Sequence, residues 1–120
     1  MKGSAKAVLW ARIAFVVLLI AATGAFFWQS PPSQANQIPH LDKLVHFTVF
    51  FLLSLTLHRA FTLKARFAFV LLALYGLLIE IAQHYIPGRG SDVYDWIADS
   101  AGVLAYFVLT SFYQKLIKKR

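Results

Sequence analysis

Residues 67–86 of the chain read FAFVLLALYGLLIEIAQHYI, and Glu80 is the only acidic or basic residue in this stretch apart from His84. A helix of this length rises about 30 Å at roughly 1.5 Å per residue, which is the thickness of the hydrocarbon core of a bilayer. Stretches of comparable length and hydrophobicity lie at residues 8–28, 43–63 and 93–117. Because lipid tolerates no open sheet edge and four strands cannot close a barrel, we predict an all-α membrane protein with four transmembrane helices.

The composition agrees with this prediction. Of the 120 residues, 59 % are hydrophobic and 14 % are charged, whereas soluble domains average about 25 % charged residues. The chain contains no cysteine, which excludes disulfide scaffolds, cysteine-ligated metals and thiol catalysis. We expect residues 1–120 to form a single membrane domain. The first stretch could be a signal peptide, but its length and its continuation through Trp28 favour an uncleaved span.

The charges are distributed unequally between the two ends of the predicted helices. The N-terminal end, the loop before the third helix and the C-terminal tail carry ten basic residues and no acidic one. All five carboxylates lie at the opposite helix ends, with Lys43 and Arg89. The positive-inside rule therefore predicts that both termini are cytoplasmic and that the carboxylates lie on the extracytoplasmic side. Apart from its basic charge, the chain shows no motif that would indicate nucleic-acid binding.

The polar residues near the extracytoplasmic side recur at helical spacing. Asp42 and His46 are four residues apart, and Glu80 is followed by Gln83 and His84 at i+3 and i+4. Carboxylates within a membrane are costly, so we expect them to face the interior of the bundle or a wet cavity. The predicted ligand-binding residues are Asp42, Lys43, His46, Glu80, Gln83, Arg89, Asp92, Asp95 and Asp99.

Four uses of this cluster remain open from the residues alone. The acidic residues, with one arginine and the Gln83 amide, could hold an amine-bearing, peptide or phospho-headgroup ligand. Glu80 or Asp95 with His46 could act as general acid and base in a hydrolytic site. Glu80, His84, Asp95 and Asp99 offer oxygen and nitrogen ligands, so a divalent cation is an alternative, although we predict no obligatory cofactor. The cluster could also serve only to fix the helix ends through ion pairs.

Several short motifs carry a resemblance to a known family. They are Asp42-Lys43-Leu-Val-His46-Phe47, Glu80-Ile-Ala-Gln83, Pro87-Gly88-Arg89, Asp92-Val-Tyr-Asp95 and Gly102. In this order they resemble the signatures of the VanZ-like family of small polytopic bacterial membrane proteins, named after a teicoplanin-resistance component. The chain departs from the family pattern at Asp99, where the family usually has asparagine.

The resemblance implies a role in the cell envelope of bacteria, with the chain as a multi-pass protein of the cytoplasmic (inner) membrane, and lowered susceptibility to glycopeptide antibiotics. We therefore expect an outward-facing pocket of acidic residues, histidine and arginine that binds or modulates an envelope ligand, such as a peptidoglycan precursor or a glycopeptide. The lipid bilayer is the other expected partner. The alternative is a membrane-embedded hydrolase or phosphatase-like enzyme that acts on a lipid-linked substrate, with or without a metal.

Overall fold

The structure, a computed structural model, describes residues 4–28, 41–86 and 92–118. These residues form four α-helices and no strand: α1 (Ala5–Phe26), α2 (Leu41–Ala60), α3 (Ala65–His84) and α4 (Val93–Lys118). Each helix is long and apolar enough to cross a membrane. The predicted fold class is therefore confirmed, and the chain is a multi-pass membrane protein.

The helix ends lie within three residues of the predicted ones. Helices α1, α2 and α3 begin two or three residues before their predicted starts and end two or three residues before their predicted ends. At the start of α2 the extension includes the polar residue Asp42. At the start of α4 the backbone N–H of Tyr94 donates a hydrogen bond to Asp92 Oδ1 over 2.9 Å. Asp92 is thus the N-cap of α4, because its carboxylate accepts from an amide that the helix itself leaves without a partner.

Helix α2 lies at the centre of the bundle, between α1 and α4, and α3 packs against α4. The closest approach of backbones involves Gly102 on α4. A Cβ atom at this position would collide with the carbonyl oxygen of Phe47 and would lie 3.1 Å from the Phe47 carbonyl carbon and 3.2 Å from the amide nitrogen of Phe51. Glycine therefore sets the spacing of α2 and α4 one turn from the polar cluster, as small residues do at tight helix contacts in membranes.

The core that positions this cluster is formed by buried apolar side chains from all four helices, among them Phe26, Phe50, Leu72 and Val103. Most of the remaining large apolar side chains are exposed on the outside of the bundle. In water such a surface would be unfavourable, whereas in a bilayer the lipid chains cover it. The lipid-facing surface is thus apolar, whereas His46, Glu80 and Asp99 are buried between the helices.

Candidate functional site

Lys43 is the centre of a group of carboxylates at one end of the bundle. Its Nζ atom lies 2.9 Å from Asp92 Oδ2, 3.3 Å from Asp95 Oδ1 and 3.4 Å from Asp42 Oδ2. We call Asp42, Asp92 and Asp95 the outer carboxylate group. The side chains of Asp42 and Asp92 are 54 % and 38 % exposed, whereas that of Asp95 is 8 % exposed. One ammonium group is therefore shared by three carboxylates, two of which reach the surface of the protein.

Asp92 lies just outside the helices, and its environment favours the ionised form. The hydrogen bond from the Lys43 ammonium group, followed by that from the Tyr94 amide, holds the pKa of Asp92 below its ordinary value. A carboxylate whose pKa is lowered by folding stabilises the fold above its unfolded pKa. This contribution is lost as the pH falls through the lowered pKa of the folded state.

A second group lies deeper between the helices and consists of His46, Glu80 and Asp99, which we call the inner triad. These residues are 2 %, 5 % and 0 % exposed, respectively. One potential ligand atom from each residue lies within 4.8 Å of the others. His46 Nδ1 and Asp99 Oδ1 form a hydrogen bond of 2.6 Å. The inner triad is thus buried and linked by a short hydrogen bond between α2 and α4.

Two carboxylate oxygens of the inner triad lack hydrogen-bond partners among the described residues. Glu80 Oε1 accepts from the backbone N–H of Asp92 over 2.9 Å, but Glu80 Oε2 has no such partner. Asp99 Oδ2 also has none, and it faces α3 beside Gly76, where a Cβ atom would lie 2.9 Å from it. Buried polar atoms are rarely left without a partner, so each such atom requires an explanation.

Asp95 connects the two groups of residues. Its Oδ1 atom contacts Lys43, and its Oδ2 atom lies 3.7 Å from His46 Nε2. The described part of the site contains five carboxylates with one lysine and one histidine nearby. With all five carboxylates ionised, the negative charges would outnumber the positive ones even if His46 were protonated. In that state the site is anionic and suited to a positively charged group.

Two other predicted residues, Gln83 and His84, are not members of either group. Gln83 is buried, but its Nε2 atom donates to the carbonyl oxygen of Phe26 over 2.7 Å, so it binds the end of α1 rather than a carboxylate. His84 is exposed at the end of α3 and does not belong to the inner triad. Arg89 lies outside the described residues. Whether these three residues contact a ligand stays a prediction.

Two aromatic residues of the site were missed by the sequence analysis. The ring of Phe26 stacks on the imidazole of His46, with a centroid distance of 4.4 Å and an interplanar angle of 17°. The indole N–H of Trp96 donates to the carbonyl oxygen of Ala73 over 2.8 Å. Phe26 packs against a member of the inner triad, whereas Trp96 joins α4 to α3 beside Gly76. No sequence signal distinguishes them from ordinary core or interfacial aromatic residues.

An open groove lies between α3 and α4 beside the inner triad and has a volume of about 370 Å³. It is lined by Leu77, Glu80, Ile81, His84, Tyr85, Val93 and Trp96. Apolar side chains dominate this lining, and Glu80 is its only carboxylate. The predicted acidic pocket thus stays a prediction, because most carboxylates pack against Lys43 or His46 and only Glu80 borders the groove.

A buried carboxylate and histidine cluster at one end of four membrane-spanning helices defines a small polytopic membrane protein with a polar site between its helices. The chain belongs to the VanZ/LLP1 family, whose model matches residues 5–114. This range includes the outer carboxylate group, the inner triad and Gly102. The resemblance found in the sequence motifs is therefore confirmed at the level of the family.

A relative of the chain is an uncharacterized protein of Schizosaccharomyces pombe, which is 34 % identical over 106 residues. The similarity covers 84 % of this chain and 62 % of the relative, so the chain spans less than two thirds of the relative's length. No solved structure matches the chain significantly.

Proposed function

We propose that the protein is a cell-envelope membrane protein that binds an amine-bearing envelope ligand at its outer carboxylate group. The observation that supports this proposal is the sharing of Lys43 by three carboxylates, since Asp42 and Asp92 are both more than one third exposed. An ammonium group of a ligand would find at least one incompletely neutralised carboxylate there. Such a pair is strengthened by the neighbouring low-dielectric interior.

The proposal places this site on the extracytoplasmic side of the bacterial cytoplasmic membrane, with both termini in the cytoplasm. The support is the distribution of charge, because the ends opposite the carboxylates carry ten basic residues and no acidic one. Cytoplasmic loops are enriched in lysine and arginine in this way. The basic C-terminal tail also suits the anionic cytoplasmic leaflet.

This sidedness predicts the accessibility of single cysteines, and the absence of native cysteine makes the experiment clean. We expect a cysteine at Tyr85, which is 78 % exposed, to react with a membrane-impermeant maleimide in intact cells. A cysteine at Thr62, in the loop between α2 and α3, should react only after the membrane is permeabilised. The opposite pattern would reverse the proposed orientation.

The ligand class that we propose is a peptidoglycan precursor or a glycopeptide antibiotic, which the relation to teicoplanin-resistance proteins suggests. Binding of either molecule at the membrane surface would lower the free concentration of the antibiotic or of the precursor. Less antibiotic would then bind to the precursor. The protein would then lower glycopeptide susceptibility without catalysing a reaction. This mechanism requires charge at the outer carboxylate group and no chemistry at the inner triad.

We expect expression of the chain in a teicoplanin-susceptible Gram-positive host to raise the minimal inhibitory concentration of teicoplanin. The double substitution Asp42→Asn and Asp92→Asn should remove this increase, because it removes two charges and retains the side-chain oxygen that caps α4. Asp42→Glu, which retains the charge, is the matched control. Membrane levels measured by immunoblot must be equal. Full activity of the double variant at equal levels would contradict the proposed site.

The groove beside Glu80 supports a second candidate, a membrane-embedded hydrolase that acts on a lipid-linked substrate. A lipid chain could occupy the apolar groove between α3 and α4, while Glu80 borders it and His46 is held by Asp99 as in an acid–base pair. This candidate predicts a cleaved lipid product that is lost in Glu80→Gln or Asp95→Asn at unchanged membrane level. If both variants only fail to accumulate, a purely structural role of the cluster is favoured instead.

A further inference from the structure

The inner triad has the geometry of an incomplete metal site. His46 offers a ring nitrogen, and Glu80 and Asp99 each offer a carboxylate oxygen, within 4.8 Å of one another. Nitrogen and oxygen ligands bind a divalent ion at about 2.0–2.2 Å, so that ligands of one ion lie roughly 3–4 Å apart. Side-chain movements of less than about 1 Å would bring the three ligand atoms to these distances.

The two free oxygens indicate what the site lacks. Glu80 Oε2 and Asp99 Oδ2 are buried and have no hydrogen-bond partner in the described part of the chain. An ionised carboxylate buried in this way is costly unless a cation neutralises it. Lys43 is not available for this purpose, because it contacts the three members of the outer carboxylate group. A cation from solution bound by Glu80 and Asp99 would neutralise both carboxylates.

The outer carboxylate group also brings three potential ligand atoms within 4.8 Å of one another. It differs from the inner triad because the Lys43 ammonium group lies within 3.4 Å of all three carboxylates. A metal ion there would have to displace this lysine. The inner triad is therefore the better metal site of the two, and the exposed outer carboxylates would attract cations toward it.

We propose that His46, Glu80 and Asp99 bind one divalent transition-metal ion of the Zn²⁺ or Mn²⁺ type. Imidazole with carboxylate is a ligand set suited to these ions, whereas Mg²⁺ and Ca²⁺ prefer oxygen ligands alone. Phe26 stacks on the His46 ring and holds it in place. Asp95, with Oδ2 at 3.7 Å from His46 Nε2, is a further oxygen donor beside the site. This metal site goes beyond the proposed ligand-binding function and does not rest on it.

The experiment uses the full chain purified in detergent with a histidine-free affinity tag. After removal of metals with EDTA, the protein is titrated with Zn²⁺ or Mn²⁺, and the bound metal is measured by native mass spectrometry and elemental analysis. We expect one ion per chain in the wild type. His46→Gln and Asp99→Asn should weaken binding at least about tenfold, since changes near a metal site have effects of this size or larger.

His58→Gln is the matched control, because it makes the same substitution on the same helix. His58 lies twelve residues from His46, where it bonds to the Tyr106 hydroxyl, so this variant should bind metal like the wild type. A rise in the melting temperature of the wild type on metal addition provides a second readout that does not depend on the folding of any variant. The proposal is overturned if the wild type binds neither ion stoichiometrically at micromolar concentration. It is also overturned if His58→Gln weakens binding as much as His46→Gln does.

Discussion

Replacing Gly102 with leucine is expected to prevent assembly of the four-helix bundle. A Cβ atom at position 102 would collide with the carbonyl oxygen of Phe47, and the Phe51 amide nitrogen would lie only 3.2 Å away. These obstacles are backbone atoms of α2, which cannot rotate away as a side chain could. Even alanine would force the two helices apart, and overpacking of this kind costs about 1–3 kcal/mol. Leucine adds three further carbon atoms at the same contact.

The expected result is a graded loss of thermal stability in detergent, measured by circular dichroism or by a fluorescence-based melting assay. Gly102→Ala should lower the melting temperature clearly, and Gly102→Leu should leave little folded protein in the membrane fraction. Gly24→Ala on α1 is the matched control, because no atom lies within 4 Å of the added methyl group. Alanine also favours the helix over glycine. Equal melting temperatures of Gly102→Ala and Gly24→Ala would show that the contact between α2 and α4 is not tight.

The same substitution should disturb the site, because Phe47 is the neighbour of His46 in α2. The 2.6 Å hydrogen bond between His46 and Asp99 joins the same pair of helices that Gly102 brings together. An increase of a few tenths of an ångström in helix spacing would lengthen this bond, and hydrogen bonds weaken with distance. Gly102 thus positions the inner triad without belonging to it.

The fold could be predicted from the sequence because length and hydrophobicity decide it. Four apolar stretches of about 20 residues leave a membrane chain few alternatives to helices. The N-cap at Asp92 could be recognised because its hydrogen bond is local in sequence. The exact helix ends could not, since they depend on contacts between distant residues, such as the ion pairs of Lys43 with Asp92 and Asp95, rather than on the apolar pattern.

The site could be predicted only in part. Its residues can be recognised from short stretches of sequence, but their distances depend on how the helices pack. Helical spacing and the charge distribution put the carboxylates at one end of the bundle. Their division into two groups depends on how each helix is rotated about its axis, which the sequence of a single chain does not specify. Gln83 and His84 illustrate this point, since neighbouring residues on a helix differ by about 100° in direction. Gln83 is buried against the end of α1, whereas His84 is exposed.

Replacing Lys43 with methionine is expected to destabilise the protein strongly near neutral pH. Methionine retains an unbranched apolar side chain but removes the ammonium group that contacts three carboxylates within 3.4 Å. Their mutual repulsion would then be unopposed, and Asp95 is nearly buried. Removing one partner of a fully buried ion pair costs about 3–5 kcal/mol, so a loss of about 2–3 kcal/mol is expected at this partly exposed site. Denaturant or thermal unfolding in detergent with EDTA present would measure this loss, because EDTA prevents a metal ion from replacing the lysine.

The cause of this loss can be isolated by a second substitution. Asp95→Asn in the Lys43→Met background should restore most of the stability, because it removes the most buried of the three charges. Asp42→Asn should restore less, since Asp42 is 54 % exposed and its Oδ2 atom lies 3.4 Å from Lys43 Nζ.

Acidification should also reduce the difference in unfolding free energy between the Lys43→Met variant and the wild type. In the wild type the stabilisation from Asp92, whose pKa is lowered mainly by Lys43, is lost as the pH falls through that pKa. In the variant the part of this stabilisation that Lys43 supplies is absent at every pH, and only the part from the Tyr94 amide remains. If Asp42→Asn and Asp95→Asn restore stability equally, the burial of Asp95 does not govern the effect, and the site functions as a solvent-exposed ion-pair network.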